Sequence, residues 1–76
     1  MTGDQKNSVL GKYRYALKSA IHGAGFRTIT EYSAYIGTDI AKISRIINGW
    51  EIPNPLTEKA MAVGLGITIK ELRGLL

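Results

Sequence analysis

The chain contains no cysteine, so no disulfide and no thiolate-held zinc braces it. It has no long apolar run either. The longest uncharged stretch, Ala60 to Ile69, falls well short of the ~20 residues a membrane-spanning helix needs. No signal-peptide pattern opens the sequence, and the expectation is a soluble, cytoplasmic protein with no membrane partner. Acidic residues are scarce, 6 against 10 Lys and Arg, which leaves a net charge of +4 and a pI near 9.6. That balance biases a small domain toward polyanions, nucleic acid above all. Both prolines, Pro53 and Pro55, fall in one turn segment. There is no period-2 strand pattern, no internal repeat and no low-complexity tract.

Catalytic constellations are missing too. The sequence offers no Ser/His/Asp set, no paired carboxylates in an apolar run and no phosphate-cradling glycine loop. Glu31, Glu51, Glu58 and Glu71 fall at positions that suit solvent faces or helix starts. His22 stands alone near a helix end, as a solvent-facing or capping residue rather than a metal ligand. The reading is therefore a non-enzyme with no cofactor, no metal and no small-molecule substrate.

What is present is apolar residues at helical spacing. With 76 residues and 45% hydrophobic content, the chain makes one domain with a marginal core, burying only ~60–65% of its unfolded surface. Residues 1–8 are polar and read as a flexible arm, with Lys6 as its one candidate phosphate contact. The domain then spans 9–76. Val9, Leu10, Tyr13, Leu17, Ala20 and Ile21 form an amphipathic stripe, with Ser8 as N-cap and Gly23 and Gly25 as stops. Lys12, Arg14 and Lys18 fall off that stripe, on an expected solvated face. Phe26 follows as a plug for the core end of this helix. A short helix from Thr28 to Ile36 takes Thr28 or Thr30 as cap. Gly37 breaks it, and Asp39 caps a helix running to Ile47, closed by Asn48-Gly49. Asn54 caps a helix from Pro55 to about Gly64 that buries Leu56, Ala60, Met61 and Val63 in some combination. Thr68 with Glu71 forms a capping box before Leu72 and Leu75. The expected fold is all-α, a compact bundle of about five short helices.

One constellation points further. A helix-turn-helix crosses two short helices over a tight turn. It needs a small residue where they meet, a glycine in the turn and apolar residues pinning both to the domain. Ser33, Gly37, Tyr32, Ile36, Ile43 and Ile46 meet those needs in order. Ile40, Ala41, Lys42, Ser44, Arg45 and Asn48 remain outward on the second helix. Lys42 and Arg45 suit phosphate or guanine, and Ser44 suits either bases or backbone.

The run from Tyr32 to Gly49, YSAYIGTDIAKISRIING, resembles the helix-turn-helix of the Xre/Cro family, which includes the lambdoid phage repressors. Ile43-Ser44-Arg45-Ile46 with Asn48-Gly49 carries the likeness most strongly. Pro53, Leu65-Gly66-Ile67-Thr68 and Glu71-Leu72 fall where that family has its last two helices. The resemblance implies a lambda repressor-like fold with a motif at about 29–49 and a recognition helix, about 39–48, in the DNA major groove. It gives base contacts to Ile40, Ala41 and Arg45, and backbone contacts to Lys42, Ser44 and Asn48. Thr38 and Asp39 lie at the mouth of that helix. The position that usually offers a glutamine to phosphate holds Ile29, flanked by Thr28 and Thr30. The implied partner is double-stranded DNA, bound by a homodimer acting as a phage-like or bacterial transcription regulator, repressor or activator. Leu72, Leu75 and Leu76 are the expected dimer surface. The other reading is a protein-interaction module, such as an antitoxin or anti-regulator, that keeps this fold without specific DNA binding. Apolar Ile40 and Ala41, and Trp50 just beyond them, give that reading its content. Trp50 itself is expected as a core or lid residue.

Overall fold

A computed structural model describes residues 12–76. The arm at 1–8, Lys6, the Ser8 cap, Val9 and Leu10 lie outside the described residues. The described chain folds as an all-α bundle of five helices. These are α1 (Tyr15–Gly23), α2 (Ile29–Ile36), α3 (Ile40–Ile47), α4 (Pro55–Leu65) and α5 (Ile69–Leu75). None of them is long and apolar enough to cross a membrane.

Helix ends follow local chemistry closely. Thr28, Asn54 and Thr68 each accept a backbone N–H three residues on through their side chains. Thr68 and Glu71 complete the expected capping box, which satisfies two N–H groups that the helix start otherwise orphans. Pro55 takes the first position of α4, where its missing N–H costs nothing. At the other ends, α1 to α4 share one closure. A glycine at positive φ (Gly25, Gly37, Gly49 or Gly66) turns the chain. The next N–H, from Phe26, Thr38, Trp50 or Ile67, then reaches back five residues to a helix carbonyl. At Gly37 the φ of 72° is one that a side chain with a Cβ resists.

Asp39 departs from expectation. It occupies the N-cap position of α3 with extended backbone, but its carboxylate makes no cap hydrogen bond. The first helix departs more. It begins at Tyr15 rather than Val9, and residues 12–14 are not helical. The reason is tertiary. The Arg14 backbone N–H donates to the Ile47 carbonyl at 2.7 Å, so the segment lies along the end of α3 instead of continuing α1. Arg14 is accordingly half-buried, not on a solvated face.

The core is Leu17 and Ile21 from α1, Tyr32 from α2, Ile43, Ile46 and Ile47 from α3, Met61 and Ala62 from α4, and Leu72 from α5. Each fully buried aliphatic side chain contributes about 1.5–3 kcal/mol relative to exposure. Phe26 packs against this cluster as expected, with its ring edge-on to Tyr32 at 5.1 Å. The Tyr32 hydroxyl donates to the Met61 carbonyl at 2.9 Å, and burial pushes its pKa well above the usual phenol range. It stays a neutral donor.

Helix α4 faces the core differently from expectation. Glu58, Met61 and Ala62 turn inward, while Leu56 and Val63 are 80% and 69% exposed. Glu58 at that inner edge is 7% exposed, because both carboxylate oxygens accept from Arg73 on α5 at 2.9 and 3.0 Å. This bidentate pair replaces the solvent position the sequence suggested. Leu72, expected on a dimer surface, is fully buried. It lies on the inward face of α5, within the core cluster.

Helices α2 and α4 meet at Gly64, where a Cβ would strike the Ile36 side chain and crowd the Tyr32 ring. Gly74 in α5 has nothing within 4 Å of its equivalent position. The same substitution should therefore act in opposite directions. Gly74→Ala should stabilise by up to about 1 kcal/mol through helix propensity. Gly64→Ala should destabilise by roughly 1–3 kcal/mol from overpacking. Thermal melts read both, and equal stabilisation would show the crossing to be loose. Ile43→Ala should cost about 2–5 kcal/mol as a core cavity, and Gly37→Val at least about 1 kcal/mol at positive φ. Near-wild-type melting of both variants would refute this core and turn.

Candidate nucleic-acid interface

Helices α2 and α3 pack on one another across a connection of Gly37, Thr38 and Asp39. Ser33 is buried, 4% exposed, with its hydroxyl donating to the Thr30 carbonyl at 3.0 Å and its carbonyl accepting from the Thr38 N–H of the connection at 2.9 Å. Gly37 takes the positive φ of that turn.

Helix α3 is sharply two-sided. Ile43, Ile46 and Ile47 are buried, and the opposite face presents Ile40, Ala41, Ser44 and Arg45 to solvent. This division follows from 3.6 residues per turn. Lys42 and Asn48 are partly exposed on its margins. Thr28 and Thr30 are exposed at the start of α2, while Thr38 is half-buried and Asp39 exposed in the turn. Several of these groups are already engaged. The Thr28 hydroxyl caps α2 by accepting from Glu31 N at 3.1 Å. The Asn48 amide folds back on its own helix, donating to the Ser44 carbonyl at 2.9 Å.

A groove of about 210 Å³ runs beside the exposed face, lined by Tyr13, Lys18, Ile29, Ile40, Ser44 and Asn48. It places the start of α2 against the start of α3. It also adds two residues that the spacing did not single out. Lys18 donates to the Tyr13 hydroxyl at 3.2 Å, so a cation of α1 stands at the edge of the α3 surface. Nothing in a one-dimensional stripe distinguishes Lys18 from an ordinary solvated lysine. Only the packing of α1 on α3 does so.

The opposite margin holds the largest correction. Glu51 does not sit on a solvent face. Its carboxylate pairs with Lys42 through Oε2 and with Arg45 Nε through Oε1, the latter at 2.8 Å. The Glu51 side chain is 25% exposed, against 54% for Arg45. Its backbone is held as well, since the Glu51 carbonyl accepts from the Arg14 guanidinium at 3.0 Å. Hydrogen bonds from Lys42, then from Arg45, hold the Glu51 carboxyl below the usual carboxylate range. Trp50 is a second correction, being 67% exposed rather than a core or lid residue. Its N–H closes the end of α3 on the Arg45 carbonyl, and the turn at Gly49 then carries the side chain outward.

The Glu51 pairing gives a pH signature. Its folded carboxyl titrates below the reference value of 4.5. The pairing therefore stabilises the fold above that value and is lost as pH falls through the lower folded value. Melting temperature should drop more for wild type than for Glu51→Gln between about pH 5 and about pH 3. Parallel profiles would show that the pairing adds nothing to stability. Of known proteins, no family model, curated protein or solved structure matches this chain.

Proposed function

We propose that this protein binds double-stranded DNA, laying α3 in the major groove as the second helix of a helix-turn-helix, and acts as a transcription regulator of bacterial or phage type. The observation that carries this reading is the two-sided α3. Its inner face is fixed by three buried isoleucines, and its outer face offers Ile40, Ala41, Ser44 and Arg45. A rigid helix whose outer face stays open to solvent suits base readout, which needs side chains that can reach base edges. Arg45 supplies a planar fork for guanine, and Ile40 and Ala41 supply apolar contact for thymine methyls. Lys42, Ser44, Asn48, Thr28 and Thr30 supply backbone contacts, and Lys18 at the groove edge adds another cation. One such helix reads only a few base pairs, so useful specificity calls for two copies on a near-palindromic site. With Leu72 in the core, half-buried Leu75 and Leu76 are what remains of the expected dimer surface.

A specific observation favours a second reading. Trp50 and Ile52 are 67% and 78% exposed, directly after α3 in the chain. Aromatic and aliphatic side chains in that position suit a protein partner. In that case the domain would act as an antitoxin-like or anti-regulator module.

Binding to a duplex selected from random sequence separates the two. On the DNA reading, log affinity falls linearly with log salt, with a slope of about 0.9 per phosphate contact. Arg45→Ala should cost about 1–3 kcal/mol on the selected site and much less on unrelated duplex. Lys42→Ala should weaken both by similar factors. No duplex enriched at low salt, or an affinity indifferent to salt, would favour the protein-partner reading.

A further inference from the structure

The cations of the α3 surface are not free. Lys42 and Arg45 share one carboxylate, Glu51, and Asp39 stands exposed at the start of the same helix. With Lys18 at the groove edge, the surface that would face phosphates sets three cations against two carboxylates. For a chain of net charge +4 this face carries only a small part of the positive charge. Sequence-independent attachment to DNA depends on cations displacing counterions, so this face is poorly built for it.

The geometry of the ion pair is selective. Glu51 takes the Nε of Arg45, on the inner edge of the guanidinium. The terminal amino groups make no hydrogen bond among the described residues, and the side chain is 54% exposed. A guanidinium pinned through Nε is oriented, and its remaining fork is the part that meets the paired acceptors of a guanine. Glu51 can act as a fixed post because its own backbone is anchored. Its carbonyl accepts from Arg14, and the neighbouring Trp50 N–H is bonded to Arg45 at 2.8 Å.

We propose that Glu51 is a specificity-determining positioning residue: it weakens, without abolishing, the pull of Lys42 and Arg45 on phosphate and aims the free edge of Arg45 at a base. The inference rests on the DNA-binding reading above and names a device within that same surface. It assigns a role to an acidic residue in a site whose ligand is a polyanion.

The test compares wild type, Glu51→Gln and Glu71→Gln on the selected duplex and on random duplex across a salt series, with helicity verified by circular dichroism. Glu71→Gln makes the same change of charge on α5 and keeps the capping-box chemistry. Glu51→Gln should raise affinity for random duplex roughly three- to tenfold and steepen its salt slope by about 0.9 for each cation released onto phosphate. Its preference for the selected site should fall, while Glu71→Gln stays close to wild type in both. Glu51→Asp, which keeps the charge but shortens the reach, should lower discrimination at an unchanged slope, and it carries the test alone if Glu51→Gln melts too low. Glu51→Gln indistinguishable from Glu71→Gln, or full discrimination in Glu51→Asp, overturns the proposal while the DNA reading stands. Absence of duplex binding by folded wild type and Glu51→Gln overturns the DNA reading and this inference together.

Discussion

The guanidinium of Arg14 closes the carbonyl end of α3, and much of the surface depends on it. It donates to the Ile46 carbonyl and to the Glu51 carbonyl. Its Nε reaches the Leu76 carbonyl at 3.4 Å, while its backbone N–H holds Ile47. One residue therefore joins the approach to α1, the end of α3, the loop beyond it and the end of α5. A cation at this end of a helix also complements the partial negative charge of the exposed carbonyls. With α3 fixed at this end by Arg14 and along its length by Ile43, Ile46 and Ile47, its outer face becomes a rigid platform.

From that anchor the electrostatics follow in order. Arg14 holds the backbone of Glu51, Glu51 holds Lys42 and Arg45, and those two flank the solvent face of α3. A pair as exposed as Arg45 with Glu51 adds little to stability in water. Its consequence lies in where a charged side chain points and how much net charge the face carries. Glu58 with Arg73 is the structural counterpart. There the carboxylate is nearly buried and both oxygens are used, so the pair ties α5 to α4.

The small size of the domain shows in how its contacts are shared. The core has few members, and single positions serve several neighbours. Tyr32 fills the centre, bonds the Met61 carbonyl and meets the Phe26 ring edge-on. Its ring and Ile36 also leave no room for a Cβ at Gly64. Ser33 is buried and satisfies its own hydroxyl within α2. Among the apolar side chains left outside, Tyr35, Leu56 and Val63 lie on helices whose inward positions are already taken.

The helix boundaries from α2 onward were legible in the sequence because they are set within a few residues. Thr28, Asn54 and Thr68 cap through side chains that reach three residues ahead. Gly37 and Gly49 reverse the chain because glycine, lacking a Cβ, tolerates the required positive φ. The buried face of α3 was equally plain, since an isoleucine stripe at helical spacing has one way to turn. Tertiary structure decided the rest. Whether α1 extended back through Arg14, whether Leu56 or Met61 turned inward, and whether Leu72 was core or surface all depended on which helix lay opposite. The partners of Lys42 and Arg45 were also invisible along the chain. Glu51 lies nine residues from one and six from the other, beyond any helical spacing. A charge acquires its role from the groups that the fold brings within hydrogen-bond reach, and a one-dimensional pattern does not encode that distance.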